Sequence, residues 1–339
     1  MTEFNKHLAR AMSGDPLSAD EMRAAMLELF SGNASDIEIA GFLAALRTRG
    51  ETVEEIAAAA RTMRDLAVQV DAPDDVLDTC GTGGDGAGTY NISTAAALIA
   101  AGCGVKIAKH GNKAASSKSG SSEVLDALGV KLDIPPDRIR DCIENANVGF
   151  MFAALHHKAV RHVAAARKGL GVRTIFNVMG PLSNPAKARR QVMGVFARDL
   201  IRPIAEVMPH LGVERAWVVH GSDGLDELTT TGPTSVASLE NGTVTEFEIT
   251  PEDAGLKRAA PADLVGGEPS ENAKAIKNLL DGEKGPFRDI AVLNAAAALI
   301  VAEKAAGLAA AARLAEKAID EGAAKAALNK LVELSNGPA

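Results

Sequence analysis

Residues 76–102 read VLDTCGTGGDGAGTYNISTAAALIAAG: a β-prone run, a turn crowded with glycine, then small apolar residues over a helical length. Strand, glycine loop and helix in that order are the building unit of a mainly parallel sheet with helices on its faces. Glycines let backbone amides come close to an anion, and the N-terminus of the following helix adds unpaired N–H groups and a favourable dipole. The loop therefore reads as a phosphate or pyrophosphate site. It contains no G-x-x-x-x-G-K-[ST], and Gly81, Gly83 and Gly86 fit G-x-G-x-x-G only formally, a weak signal by itself. Asp85, Thr89, Asn91, Ser93 and Thr94 supply more polar groups than a phosphate needs, enough to hold ribose hydroxyls or a metal ion. The plainer reading of the same residues is a tight strand-to-helix turn with Ser93 as its N-cap.

Downstream the alternation continues. VKIAKH (105–110), VGFMFA (148–153), RTIFNV (173–178), QVMGVFA (191–197) and RAWVVHG (215–221) are β-prone and separated by helix-like segments or loops. In such sheets ligands gather beyond the carboxyl ends of the strands, where the glycine loop, KHGN (109–112) and HGSDGLDE (220–227) fall. SVASLENGTVTEFEI (235–249) predicts an edge hairpin turning at Asn241 and Gly242, which accept the positive φ of a type I′ turn. The tail over 270–335 is Ala-rich and helical without a solenoid's fixed period. Its most apolar run, IAVLNAAAALIVA (290–302), is too short for a bilayer and reads as a buried core helix.

Upstream, SADE at Ser18, SDIE at Ser35 and TVEE at Thr52 each set Glu three residues after a hydroxyl, the signature of a capping box. Met22, Met26 and Leu29, then Ile39, Phe42, Leu43 and Leu46, follow at helical spacing. The expected fold class is α/β: a small all-helical domain plus a large α/β domain whose mainly parallel central sheet is flanked by helices. The helical domain is expected over 1–72, joined by helices from about 156–185, and the α/β domain over 73–339.

Composition agrees. Of 339 residues 47% are hydrophobic, chiefly alanine, and 3% aromatic, which favours close-packed helices over a sandwich or barrel. A net charge of −8 argues against a sequence-independent grip on nucleic acid, so an anionic ligand must be met locally. The three cysteines, Cys80, Cys103 and Cys142, form no C-x-x-C and suggest neither disulfides nor a zinc site; a reducing cytoplasm fits. No secretory or membrane-spanning segment is expected.

Three further stretches carry candidate chemistry. KHGNKAASSKSGSS (109–122) combines Lys109, Lys113 and Lys118 with serines and His110, either a second anion-binding loop or solvated charges on a flexible one. HGSDGLDELT (220–229) holds Asp223, Asp226 and Glu227; neighbouring carboxylates suit Mg2+, a hard cation commonly shared with substrate phosphates. HHKAVRHVAAARKGLG (156–171) spaces His157, Arg161 and His162 as on a helix, with Arg167 near its end: a solvated basic face, or a guanidinium gripping a carboxylate. Cys80 and Cys103 read as inert buried thiols and Trp217 as a core or interface residue. Neither G-x-S-x-G nor H-E-x-x-H occurs.

Taken together, GTGGD, NIST, KHGN, SSKSGS, RTIFNVMGPLSNP and HGSDGLDE resemble, in order and spacing, the signature segments of the anthranilate phosphoribosyltransferase family. Agreement extends to PEDAGL at Pro251 and GGEPSENA at Gly266, so it covers nearly the whole chain. The resemblance implies a homodimer with a cleft between a helical and an α/β domain. It implies transfer of phosphoribose from 5-phosphoribosyl 1-diphosphate to the amine of anthranilate, with release of pyrophosphate and two Mg2+ ions per site, in tryptophan synthesis. Carried over by position, the donor would lie on Gly81, Gly84, Asp85, Thr89, Asn91, Ile92, Ser93, Thr94, Lys109, His110, Gly111, Asn112, Lys113, Ala114, Ala115, Ser116, Ser117 and Ser121. Metal contacts would be Ser93, Asp226 and Glu227, and anthranilate would lie near Gly81, His110, Asn112 and Arg167, whose guanidinium would face its carboxylate. Lys113 stands where Arg is usual, Lys158 where Pro often follows the histidine pair, and Ala165 and Ala166 where Pro-Val is frequent.

No general base is evident, and catalysis is expected from positioning and electrostatics. A pyrimidine nucleoside phosphorylase is the nearest rival, but its loop typically reads KHSTGG and its reaction has no use for paired metal carboxylates. A non-catalytic relative that binds nucleic acid is the other, against which the acidic charge counts.

Overall fold

The computed structural model describes residues 3–114 and 118–337. Four helices open the chain: α1 (Glu3–Met12), α2 (Ala19–Ser31), α3 (Asp36–Arg49) and α4 (Val53–Asp65). Ser18, Ser35 and Thr52 cap α2, α3 and α4 in the expected capping boxes, each hydroxyl accepting from the backbone N–H of the Glu three residues on. Met22, Met26, Leu29, Ile39, Phe42, Leu43 and Leu46 are all buried, with Phe4 tilted against Phe42 at 5.4 Å.

The sheet has seven strands in the order β3-β2-β1-β4-β5-β6-β7. They are β1 (Leu77–Gly81), β2 (Ile107–Gly111), β3 (Val148–Phe152), β4 (Arg190–Gly194), β5 (Arg215–Gly221), β6 (Thr234–Glu240) and β7 (Thr243–Ile249). The first five run parallel, and β6 and β7 form the antiparallel edge hairpin. Asn241 and Gly242 turn it with φ of 50° and 76°, as type I′ requires. Trp217 of β5 is buried and meets Phe247 of β7 edge-on at 5.4 Å.

One face of the sheet carries α5 (Ile92–Gly102) and the C-terminal helices, among them Pro286–Val301, which contains the expected core run. The other face packs on Ile204, Val207 and Met208, and its apolar cluster continues into α2, α3 and α4. β1 to β4 are buried on both sides, although they carry polar side chains such as Asp78, Lys109, His110 and Gln191.

RTIFNV is a correction. It forms no strand: residues 176–182 are a helix, Phe176–Leu182. A short apolar run does not by itself separate a strand from a buried helix. Here the Asn177 side chain accepts from Thr174 N at 3.0 Å and opens the helix, and Phe176 packs edge-on against Phe30 of α2 at 6.0 Å. The stretch 156–171 is also broken, into Ala153–His156, a 3-10 turn over Lys158–Val163, and Ala164–Leu170. Arg161 therefore points to solvent rather than along one helical face. Cys103 is partly exposed rather than buried; Cys80 and Cys142 are buried, and all three are free thiols.

Arg64 ties α4 to two segments remote in sequence. Its Nε donates to Leu182 O and its Nη1 to Leu211 O, both at 2.7 Å, and burial pulls its pKa down to about 10. Arg64→Met would leave both carbonyls unpaired, which outweighs the relief of burying a guanidinium. The unfolding free energy should fall by about 2 kcal/mol, read as a lower urea midpoint at unchanged slope.

Candidate active site

The carboxyl ends of β1, β2, β4 and β5 meet at one cleft, and the glycine loop lies across it. Gly83, Gly84, Gly86 and Gly88 all take φ between +61° and +76°, a conformation side chains rarely allow. The loop is pinned at both ends. Thr82 N donates to Gly194 O at 3.0 Å and Phe196 N to Thr82 Oγ1 at 3.0 Å. On the far side Gly266 N donates to Gly88 O at 2.9 Å and Tyr90 N to Leu264 O at 3.1 Å. Arg173, stacked over Phe196 at 4.1 Å, donates through Nη2 to Gly84 O.

Asn91 is the N-cap of α5, not Ser93, and its side chain makes no cap bond. It instead accepts from Ser119 Oγ at 3.0 Å and Asn272 Nδ2 at 2.9 Å and donates to Ser119 O at 3.1 Å, joining the start of α5 to the loop at Ser119 and to the helix Pro269–Leu280. No side chain of α5 caps its own first turn; Ile92 N bonds Tyr90 O at 2.8 Å and the Ser93 amide bonds the Glu227 carboxylate.

Asp226 wedges between two strand ends. A Cβ on Gly81 would stand 2.4 Å from its Oδ2, and a Cβ on Gly194 1.5 Å from its backbone oxygen. Its Oδ2 accepts from Gly83 N at 2.6 Å. Burial, then the charge of Asp85, pushes the Asp226 pKa from 3.8 up to about 7. Glu227 is held well above the usual carboxylate range by burial first and by Asp226 next, while Lys109 opposes the rise. Carboxylates that disfavour one another's charge are a donor set for a hard cation. Among the described residues no three His, Cys, Asp or Glu side chains close around one point. Asp223 stands apart from this pair; its Oδ2 accepts from Thr229 Oγ1 at 2.5 Å and Thr231 Oγ1 at 2.6 Å.

Lys109 and His110 belong to β2 itself, not to a flexible loop, and both are buried. Lys109 Nζ donates to Thr79 O at 2.5 Å and Ser93 Oγ at 3.3 Å, and burial lowers its pKa. The loop after β2 is closed by Glu123, whose Oε2 accepts from Ala114 N at 3.0 Å and Gly120 N at 2.9 Å.

Two buried histidines stand at the end of β2 and in the segment after β3. The rings of His110 and His157 meet edge-on at 5.0 Å, and burial drives His110 well below 6.5 and His157 to about 4, so both are neutral imidazoles. Arg167 lies over Phe176 at 5.0 Å, with no carboxylate partner among the described residues.

Comparison with known proteins decides the family. The helical bundle domain of the glycosyl transferase family matches residues 5–67, and its a/b domain residues 73–325. Anthranilate phosphoribosyltransferase of Parvibaculum lavamentivorans is 57% identical over 337 residues, covering 99% of each chain. The crystal structure of the Thermus thermophilus enzyme of that name superposes with a TM-score of 0.93 at 44% identity, over 98% of this chain and 99% of that one. The chain belongs to the anthranilate phosphoribosyltransferase family. The Saccharomyces cerevisiae enzyme, 28% identical with a TM-score of 0.90 over 98% and 97% of the two chains, was solved in complex with PRPP and Mg. It was also solved with 4-fluoroanthranilate.

In this anthranilate phosphoribosyltransferase-family chain, Gly81, Gly84, Asp85, Ser93, Lys109, Asp226 and Glu227 come together at the cleft. Thr89 pairs with Val265, and Thr94 is buried with no hydrogen bond to its hydroxyl among the described residues. The Ile92 side chain joins an apolar cluster with Leu225, Leu264 and Ile290, and its amide bonds Tyr90 O at 2.8 Å. Gly111 packs against Ser121, and Asn112 O accepts from Ser121 Oγ at 3.3 Å. Asn112 and Lys113 are exposed and Ala114 half-buried, whereas Ala115, Ser116 and Ser117 lie outside the described residues.

Arg173, Gly194, Asn184 and Asn272 had no role in the sequence reading. Arg173 and Asn184 lie within RTIFNVMGPLSNP, but nothing in its spacing marks which side chain reaches a distant loop. Gly194 ends an ordinary strand, and its meaning emerges only from the approach of Asp226. Gly194→Ala must displace Asp226. We expect the fold to persist, with a cooperative melting transition, and activity to fall by about 100-fold or more, the cost of misplacing a group at the reacting centre.

Proposed function

We propose that this protein is an anthranilate phosphoribosyltransferase, transferring the phosphoribosyl group of 5-phosphoribosyl 1-diphosphate to the amine of anthranilate and releasing pyrophosphate, the second step from chorismate to tryptophan. The observation that carries the reading is the bond from Gly83 N to Asp226 Oδ2 at 2.6 Å, which joins a phosphate-type glycine loop to a carboxylate pair. A phosphorylase has no use for that pair, and the named relatives favour the transferase over either rival.

In this reading the amides of the glycine loop and Lys109 bind the diphosphate beside the N-terminus of α5, and Ser93, Asp226 and Glu227 hold Mg2+, two ions per site. Bound there, the metal supplies charge stabilisation for the departing pyrophosphate. The protein's own amides and ammonium add to that stabilisation as charge develops on the leaving oxygen. Arg167, unpaired and partly desolvated, faces the anthranilate carboxylate, and the neutral pair His110 and His157 walls the ring's pocket. An aryl amine is neutral at pH 7, so the chain needs no base before attack; its contribution is alignment of donor and acceptor.

The helical unit over 1–72 with 156–185, and the α/β unit over 73–339, are proposed as two domains able to close on the cleft. The protein is proposed to act as a homodimer. No helix among the described residues is long and apolar enough to cross a membrane. The free thiols support the cytoplasm as its compartment.

Anthranilate fluoresces. Its loss on mixing with diphosphate sugar, Mg2+ and protein, but not when any one is left out, tests donor, acceptor and metal together; persistence of the fluorescence in the full mixture overturns the reading. Arg167→Ala should raise KM for anthranilate by about tenfold or more and leave KM for the donor nearly unchanged; equal shifts in both would remove Arg167 from the acceptor site. Asp226→Asn with Glu227→Gln should move the Mg2+ titration to higher concentration, and an unmoved titration would remove the pair from metal binding.

A further inference from the structure

The sheet is split at its centre. β1 and β2 are paired at one position, Leu77 with Ile107, whereas β1 with β4 and β2 with β3 are each paired at five. Past that position three side chains replace the ladder. Asp78 Oδ1 accepts from His110 N at 3.1 Å; Lys109 Nζ donates to Thr79 O; Asn184 Nδ2 donates to Ala108 O at 2.8 Å and to Asp78 Oδ2 at 2.7 Å. All three are enclosed, with exposures of 0% for Asp78, 2% for Lys109 and 1% for Asn184. Backbone groups in the middle of a sheet do not stay unpaired, so these side chains set how far the strands stand apart.

Through this opening the Lys109 ammonium reaches Ser93 Oγ at the start of α5, 3.3 Å away. Asn184 is fixed in turn, its Oδ1 accepting from Ala186 N at 2.8 Å. We infer that Asp78 and Asn184 are positioning residues of the transferase reaction: they hold β1 and β2 apart so that the Lys109 ammonium stands in the floor of the diphosphate-sugar site. Burial works against a charged Lys109, and Asp78 is the foremost charge that favours it, which agrees with this geometry. An ammonium enclosed without such a partner would be costly.

The inference rests on Lys109 contacting the donor, as the proposed function has it. The test is a double-mutant cycle on donor affinity, with the 5-phosphoribosyl 1-diphosphate and Mg2+ complex titrated calorimetrically into Asp78→Asn, Lys109→Met and the double variant. Misfolding lowers the binding stoichiometry, whereas misplacement raises Kd. Asp78→Asn should raise Kd by about tenfold, and in the Lys109→Met background by less than about twofold. Equal effects in both backgrounds, or an unchanged Kd in Asp78→Asn, would overturn the positioning role. An unchanged Kd in Lys109→Met alone would instead overturn the donor contact. Asn184→Leu, similar in size, should raise Kd in the same direction and again only while Lys109 is present; if Asp78→Asn yields no folded protein, this variant decides the matter.

Discussion

The contact on which the site depends is Asp226 lying against the glycine ends of β1 and β4. Gly81 and Gly194 face its Oδ2 and its backbone oxygen at distances no Cβ would tolerate, 2.4 Å and 1.5 Å. Two glycines on adjacent parallel strands thus admit the turn that follows β5, carry its acids across β4, and bring them to the loop that follows β1. The bond from Gly83 N to Asp226 Oδ2 closes the connection. Ligands of such sheets bind where the chain leaves strands in opposite directions, and β1 is that place: connections run from it to β2 and β3 on one side, and through β4 to β5 on the other.

A rigid frame holds these loops at their sub-ångström tolerances. Alanine makes the helices slim, so α5 and Pro286–Val301 pack flush against the sheet and each other, and Gly102 at the end of α5 sits where a Cβ would meet the Ala324 backbone at 2.6 Å. A helix so closely gripped has little freedom to shift, and its N-terminus is the part offered to an anion. On the opposite face the helical unit shares one apolar cluster with β4, β5 and the segment carrying Arg167. The α5 helix and the segment carrying Arg167 are therefore supported by different apolar clusters, on opposite faces of the same sheet.

How much of this could be read from the sequence follows from the range of the interactions involved. Capping boxes, the Asn241 turn and the strand–loop–helix unit are local, each determined by residues within a few positions of one another, and they stood out at once. Asp226 and Glu227 stood out only beside two phosphate-type loops, since an acidic strand-end loop by itself reads as solvated. RTIFNV was misleading for the opposite reason: its composition favours a strand, and only packing of Phe176 against Phe30 and the Asn177 cap make it a helix. Asn91 was legible as a polar site residue, but its partners Ser119 and Asn272 are remote in sequence, so its use as a loop tie was not. The splitting of β1 from β2 lay further out of reach. Nothing in VLDTC or VKIAKH distinguishes an Asp and a Lys that replace ladder bonds from ones that project into solvent.

The acceptor wall bears on how the proposed reaction disposes of its proton. His110 and His157 are the titratable groups nearest that wall. Burial first, then His157 beside His110 and His156 beside His157, holds both below 6.5, so both are uncharged near neutral pH. Asp226 lies against the glycine loop, and among the described residues Arg167 has no carboxylate partner. A base poised near neutrality is what general-base catalysis asks for, and the acceptor side offers none. The amine is a competent nucleophile uncharged and becomes acidic only as its bond to the sugar forms. The proton then has an acceptor within the substrate, the ortho carboxylate that Arg167 would orient. Apolar, neutral walls keep water from competing for the activated sugar, a function for which a charged histidine would be poorly suited.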